Sequence, residues 1–195
     1  MKIHVLSHTL DRSTAMIEGF PDNGPTDWRY HEGIPLAGEF PSGATLQFSR
    51  GYPDRRELRD FLPNPLSALI ISSRVRVLLE GRKAVGCEFL PVRILDHAGA
   101  VAAEGYSILN LQGGLPVIDL KRSGHTMGAL DKTQIDDITN LIVDPTAVTD
   151  GHLIFRASMM RRLFLIQDEL KSTFDDVGVT GWRTWPADGW DGMYL

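Results

Sequence analysis

Few side chains in this sequence sit where chemistry could be done. His125 lies in the polar run from Lys121 to Gly128, beside Ser123, with Asp131 just beyond it. An imidazole can exchange protons near neutral pH, so His125 and Asp131 could form the stub of an acid/base site; a histidine simply placed in a turn is the plainer reading. His4 and His8 are four residues apart and could share a face, but no third metal ligand stands near them in sequence. The single cysteine, Cys87, follows Gly86 and leads into an apolar stretch, the setting of an inert, buried thiol. Asp136-Asp137 and Asp175-Asp176 are adjacent pairs whose side chains diverge on a helix or strand, so neither pair reads as a proton-sharing dyad. The sequence contains no GxSxG elbow, no GxxxxGK[ST] phosphate loop and no GxGxxG fingerprint. No cofactor or metal is expected.

A second chemistry is recognition of another macromolecule. The tail contains Trp185, Asp188, Trp190, Asp191 and Tyr194, with glycines and a proline that prevent a regular helix. Rings ringed by acids suit a hot spot against a basic surface, the rings giving area and the charges register. The alternative is a tail that folds back over the protein's own core. The acidic face with Asp175 and Asp176, joined by Asp136 and Asp137, is another candidate, against plain solubility. Asp22, Asp27, Trp28, Tyr30 and Glu32 repeat the acidic and aromatic mixture near the N-terminus.

Charge narrows the partner. The 195-residue chain carries 20 basic and 25 acidic groups, a net of −5. Residues 1–97 hold 12 of each sign, and residues 98–195 hold 8 basic and 13 acidic groups, so the second half carries the whole excess. That argues against nucleic-acid binding, which needs a basic stripe to neutralise phosphates, and suits a basic partner. No apolar run approaches the ~20 residues of a membrane span. The opening MKIHVLSHTLDR is too polar for a secretory leader, and one cysteine suits a reducing compartment, so a cytoplasmic protein is expected.

The elements that must position these residues are strands with a few short helices. Ile3 and Val5 share a face of a strand over Lys2–Leu6. Residues 19–43 carry four prolines and five glycines, too many for a long element. Ser72 or Ser73 caps a helix through Val75, Leu78 and Leu79 that ends at Gly81. Strands are expected at Glu88–Leu95, with Pro91 marking an edge or bulge, and at Tyr106–Leu111, Val117–Leu120, Thr139–Val143, Leu153–Arg156, Leu163–Ile166 and Thr180–Trp185. Asp168 caps a helix closed by Gly178. This pattern is an α+β fold: a mixed or antiparallel sheet, two or three short helices and a loop-rich N-terminal third. A single domain is expected, comprising an irregular segment 1–53, a core 54–185 and a tail 186–195.

The order of motifs resembles a known family. Asp60-Phe61-Leu62, Ser72-Ser73-Arg74, Glu88-Phe89-Leu90-Pro91-Val92 and Tyr106 with Leu109-Asn110 come first. Then come Val117-Ile118-Asp119-Leu120 with Ser123, Leu141-Ile142-Val143-Asp144, Ile154-Phe155-Arg156 and Ile166-Gln167-Asp168-Glu169-Leu170-Lys171. Val177-Gly178-Val179-Thr180-Gly181-Trp182 closes the series. From about Asp54 to about Trp185 the chain is similar to immunity protein family eleven of bacterial polymorphic toxin systems. Gln167 departs from the serine common before the helix, and residues 1–53 and the tail after Trp185 have no counterpart in the motifs.

The resemblance implies a non-enzymatic protein that binds a cognate toxin encoded beside it, many such toxins being basic nucleases. It supplies no catalytic set. It implies that Phe89 and Ile166 are core and that Gly178 and Gly181 are turn positions. Two other classes stay open on the residues alone: a hydrolase or transferase built on His125 and Asp131, and an adaptor that adds a peptide strand at the edge marked by Pro91.

Overall fold

Strand β1 (Ile3–His8) lies in the middle of a four-stranded antiparallel sheet, between β10 (Met160–Gln167) and β11 (Trp182–Pro186), with β9 (Ile154–Ala157) outside β10. The computed structural model describes residues 1–9 and 11–193. A second, five-stranded sheet runs in the order β2 (Thr45–Gln47), β5 (Cys87–Leu95), β6 (Val101–Leu111), β4 (Leu69–Ile71), β3 (Phe61–Leu62), with β2 and β5 parallel and the other pairs antiparallel. A separate hairpin joins β7 (Gly124–Met127) to β8 (Ile135–Asn140). Two nine-residue helices, α1 (Ser73–Gly81) and α2 (Asp168–Asp176), complete an α+β fold that is mostly sheet. Among the described residues no helix is long and apolar enough to cross a membrane.

Strand alternation sorts the apolar side chains into stacked layers. Val5, Leu165 and Phe155 are cross-strand partners on one face of the four-stranded sheet, and they pack with Ile135, Ile138, Leu141 and Trp190. Leu6, Phe164 and Ile166 point to the other face and meet α1 (Val75, Leu79), α2 (Leu170, Phe174) and the near face of the five-stranded sheet (Leu69, Ile71, Leu109). The far face of that sheet, with Ile70, Leu90, Val92 and Ile108, is covered by the N-terminal third through Ile17, Tyr30, Leu36 and Phe48. The β7–β8 hairpin and α2 therefore lie on opposite sides of the four-stranded sheet.

The expected helix boundaries hold in their essentials. The Ser72 hydroxyl caps α1 by accepting from the Val75 amide, and Gly178 (φ 66°) closes the turn after α2. Asp168 is not the cap: Gln167 holds that position, and the Asp168 carboxylate instead accepts from His4 Nε2 at 2.8 Å. Val117–Leu120 forms no strand. Ile118 makes an isolated bridge to Val143, and Asp119 turns the chain by accepting from the amides of Lys121, Arg122 and Ser123. The strand expected at 139–143 is shifted to 135–140, because the Leu141 amide leaves the hairpin to donate to the Trp190 carbonyl.

Candidate partner-binding surface

The polar residues of the recurring motifs turn inward and bind one another. Asp60 is buried at the start of β3. Its carboxylate accepts from Ser72 Oγ at 2.7 Å, from the Thr180 amide and hydroxyl at 2.9 and 3.1 Å, and from Arg74 Nη1 at 3.3 Å. Arg74 also donates to the carbonyls of Val177 and Gly178, whose turn leads into β11. Gly181 (φ 82°) must be glycine, because a Cβ there would overlap the Phe61 carbonyl oxygen. Three distant segments are thus tied at one carboxylate, each bond charge-assisted on the acceptor side.

A second internal network runs from Glu88 through Asn110 to Arg156. Glu88 accepts from the amides of Leu36 and Ala37 and from Asn110 Nδ2 at 2.8 Å. Asn110 Oδ1 in turn accepts from Arg156 Nη2 at 3.3 Å. Arg156, only 2% exposed, also donates to the carbonyls of Leu111, His31, Arg161 and Tyr30. The neutral amide between the two charges completes the pairing without direct contact. Burial, with Arg161 alongside, lowers the Arg156 pKa to about 10, so it remains charged at neutral pH. These side chains fasten the N-terminal third, the five-stranded sheet and β9 together.

The alternative chemistries lose their geometry here. His125 sits in β7 with its Nδ1 3.0 Å from the Ser123 carbonyl, while Asp131 in the following turn accepts from the amide and hydroxyl of Thr133, so each is engaged locally and no hydrogen bond joins the two among the described residues. Burial pushes the Cys87 thiol up to about 12. His8 is pulled down to about 4 by burial and then by Arg183, which favours the neutral ring. Among the described residues no group of three or more His, Cys, Asp or Glu side chains could hold a metal ion. The edge of β5 near Pro91 is flanked by the protein's own chain: the Leu36 and Ala37 amides reach Glu88, and the Arg93 amide donates to Ala44.

The residues expected to meet a partner divide into three sets. Asp136 and Asp137 are exposed on β8, and their carboxylates make no hydrogen bond or ion pair among the described residues. The tail runs back beside them: a Cβ on Gly192 would overlap the Ile138 carbonyl oxygen, and Gly189 and Trp190 exchange backbone bonds with Leu141. Asp191 is exposed there, and Asp188 is exposed but pinned by accepting from the Val143 amide. Trp190, by contrast, is 5% exposed and belongs to the core, its Nε1 donating to the Met193 carbonyl. Trp185 packs half-buried on the same core with Arg183 stacked over its ring. Tyr194 lies outside the described residues. Asp175, paired with Lys171 at 2.6 Å, and Asp176 lie on α2, across the four-stranded sheet from the hairpin. The two acidic pairs do not join into one face.

The motifs thus converge on clasps, and the exposed acids sit on a covering layer. A sequence model of the immunity protein family (Imm11) matches residues 5–188. The chain belongs to this family. The match takes in β1 from Val5 onward and the rest of the N-terminal third, so these belong to the family region along with the motifs, and residues 1–4 and 189–195 lie beyond it. Among curated proteins no match was found. The Imm11 motif glycines Gly178 and Gly181 are turn positions as the resemblance implied, and Ile166 is core. Phe89 is partly buried against the same core, with the Arg76 guanidinium over its ring at 5.1 Å.

Proposed function

We propose that this protein is an immunity protein that neutralises a cognate bacterial toxin by direct contact in the cytoplasm. The observation that carries the reading is the family match over residues 5–188. Charge supports a basic partner, such as a nuclease domain. Residues 112–150 and 186–193, which form or border the layer over the first core, hold eight aspartates against three cations. Asp136, Asp137, Asp188 and Asp191 are among its exposed acids, with Trp185 and Trp190 supporting the tail from beneath. Asp175 and Asp176 form a separate acidic site on the far side. Complementary charge speeds encounter and disfavours wrong partners.

Co-expression with the toxin-like polypeptide encoded beside the gene tests the reading. Cells should survive only when this protein is present, and the purified pair should associate more slowly as salt rises. Equal killing with and without the protein would refute it.

A further inference from the structure

The β7–β8 turn holds a side chain that the fold itself does not use. The Gly128 amide donates to the Gln134 carbonyl at 2.8 Å and the Gln134 amide donates to the Asp131 carbonyl at 3.1 Å. Asp131 Oδ1 accepts from the Thr133 amide and hydroxyl, bonds that hold its carboxyl below the usual carboxylate range. Outside the turn, Gln134 Nε2 reaches the Ser158 carbonyl at 3.2 Å and the Ile135 amide reaches Met159 at 2.7 Å. Gly128 is buried, and a Cβ there would stand 2.7 Å from the Asp131 carbonyl oxygen, so the turn closes tightly. At its apex Leu130 is 103% exposed, beside exposed Ala129, and packs on nothing among the described residues.

A single exposed leucine is ordinary on a protein surface. One carried at the tip of a loop whose flanking backbone is hydrogen-bonded differs, because much of the backbone entropy of ordering the loop is already lost in the free protein. Burial of that side chain by a partner then gives nearly its full apolar gain. Asp131 and Lys132 follow it in the turn, with Arg161 near enough to act on the Asp131 carboxyl, and Asp136 and Asp137 are exposed on the strand that leaves the turn.

We propose that Leu130 is the apolar anchor of partner docking: it enters an apolar pocket on a basic protein, whose cations at the pocket rim meet Asp131, Asp136 and Asp137. This rests on the immunity reading and adds to it the face and the residue that touch the toxin. An apolar centre ringed by charge is how binding energy concentrates at protein interfaces.

The test uses the full chain, with the C-terminal domain of the neighbouring toxin-like polypeptide as the probe. Affinity and melting temperature are measured for the unaltered protein, Leu130→Asp, Leu130→Met and Val77→Asp. Val77 is an exposed apolar residue on α1, 63% accessible, and serves as the control. Leu130→Asp should weaken binding by roughly a hundredfold, while Leu130→Met, which keeps the apolar bulk, and Val77→Asp should bind within about threefold of the original. Melting temperatures should not move for the Leu130 variants. Unchanged affinity of Leu130→Asp overturns the anchor and leaves the immunity reading standing. Equal losses in Leu130→Met and Leu130→Asp likewise overturn it. Failure of the unaltered protein to bind overturns both.

Discussion

The clasps around Asp60 and Arg156 and the hairpin layer around Asp136 and Asp137 use the same residue types in opposite ways. In the clasps every charge is surrounded by donors or acceptors of the protein itself: Asp60 by Ser72, Arg74 and Thr180, Arg156 by four carbonyls and Asn110. On β8 the Asp136 and Asp137 carboxylates are exposed without partners among the described residues, and Leu130 is exposed at the hairpin tip. The difference teaches that a recurring polar motif can mark the joints of a scaffold, while the exposed acids of the outer layer belong to residues that no motif flags.

The sharpest way to break this contrast is to remove Arg156. Arg156→Ala leaves the carbonyls of Tyr30, His31, Leu111 and Arg161 without that donor inside the fold, and stability in urea should fall by about 3–5 kcal/mol. A loss below about 1 kcal/mol would show that these carbonyls find other partners. Asp60→Ala, which strips the Thr180 amide of its acceptor, should cost about 2–3 kcal/mol by the same measurement.

A smaller, graded effect should come from pH. His8 and His31 are both held near a pKa of about 4, by burial first and then by Arg183 for His8 and by Arg162 and Arg156 for His31. The unfolded chain takes up those protons near 6.5, so the stability that depends on neutral rings is whole above about pH 6.5 and drains away as pH falls toward 4. Thermal melts across this window should show the slope, and His8→Gln with His31→Gln should flatten it. The smallest effect belongs to the outer layer. Asp136→Asn with Asp137→Asn should change stability by less than about 0.5 kcal/mol. The same pair should slow association with the toxin domain and weaken its salt dependence; a large loss of stability would place these acids with the clasps.

The strands were legible wherever apolar residues ran continuously or alternated, as at Ile3–Val5, Leu163–Ile166 and Glu88–Leu95. Val117–Leu120 misled because its apolar residues fill a core without a strand to pair with, and Asp119 spends its acceptors on the following turn. The helix cap at Asp168 misled because His4, far away in sequence, takes that carboxylate. At the candidate surface, the mixture of rings and acids in the tail reads alike whether the rings face in or out. Only the fold separates buried Trp190 from exposed Asp191. Leu130 was invisible, since one leucine among turn residues carries no periodicity. Its signal is the closed geometry of the loop beneath it.

The central place of β1 has a consequence for how the molecule comes into being. Its two neighbours, β10 and β11, emerge from the ribosome more than 150 residues later, so β1 waits through most of this fold for its mates. Both cores that touch this sheet close only then, and a chain cut short before Trp182 would leave β1 with one side bare. Closure of the fold would therefore lag behind the making of its opening strand, and a fragment from interrupted synthesis would keep an unfinished sheet.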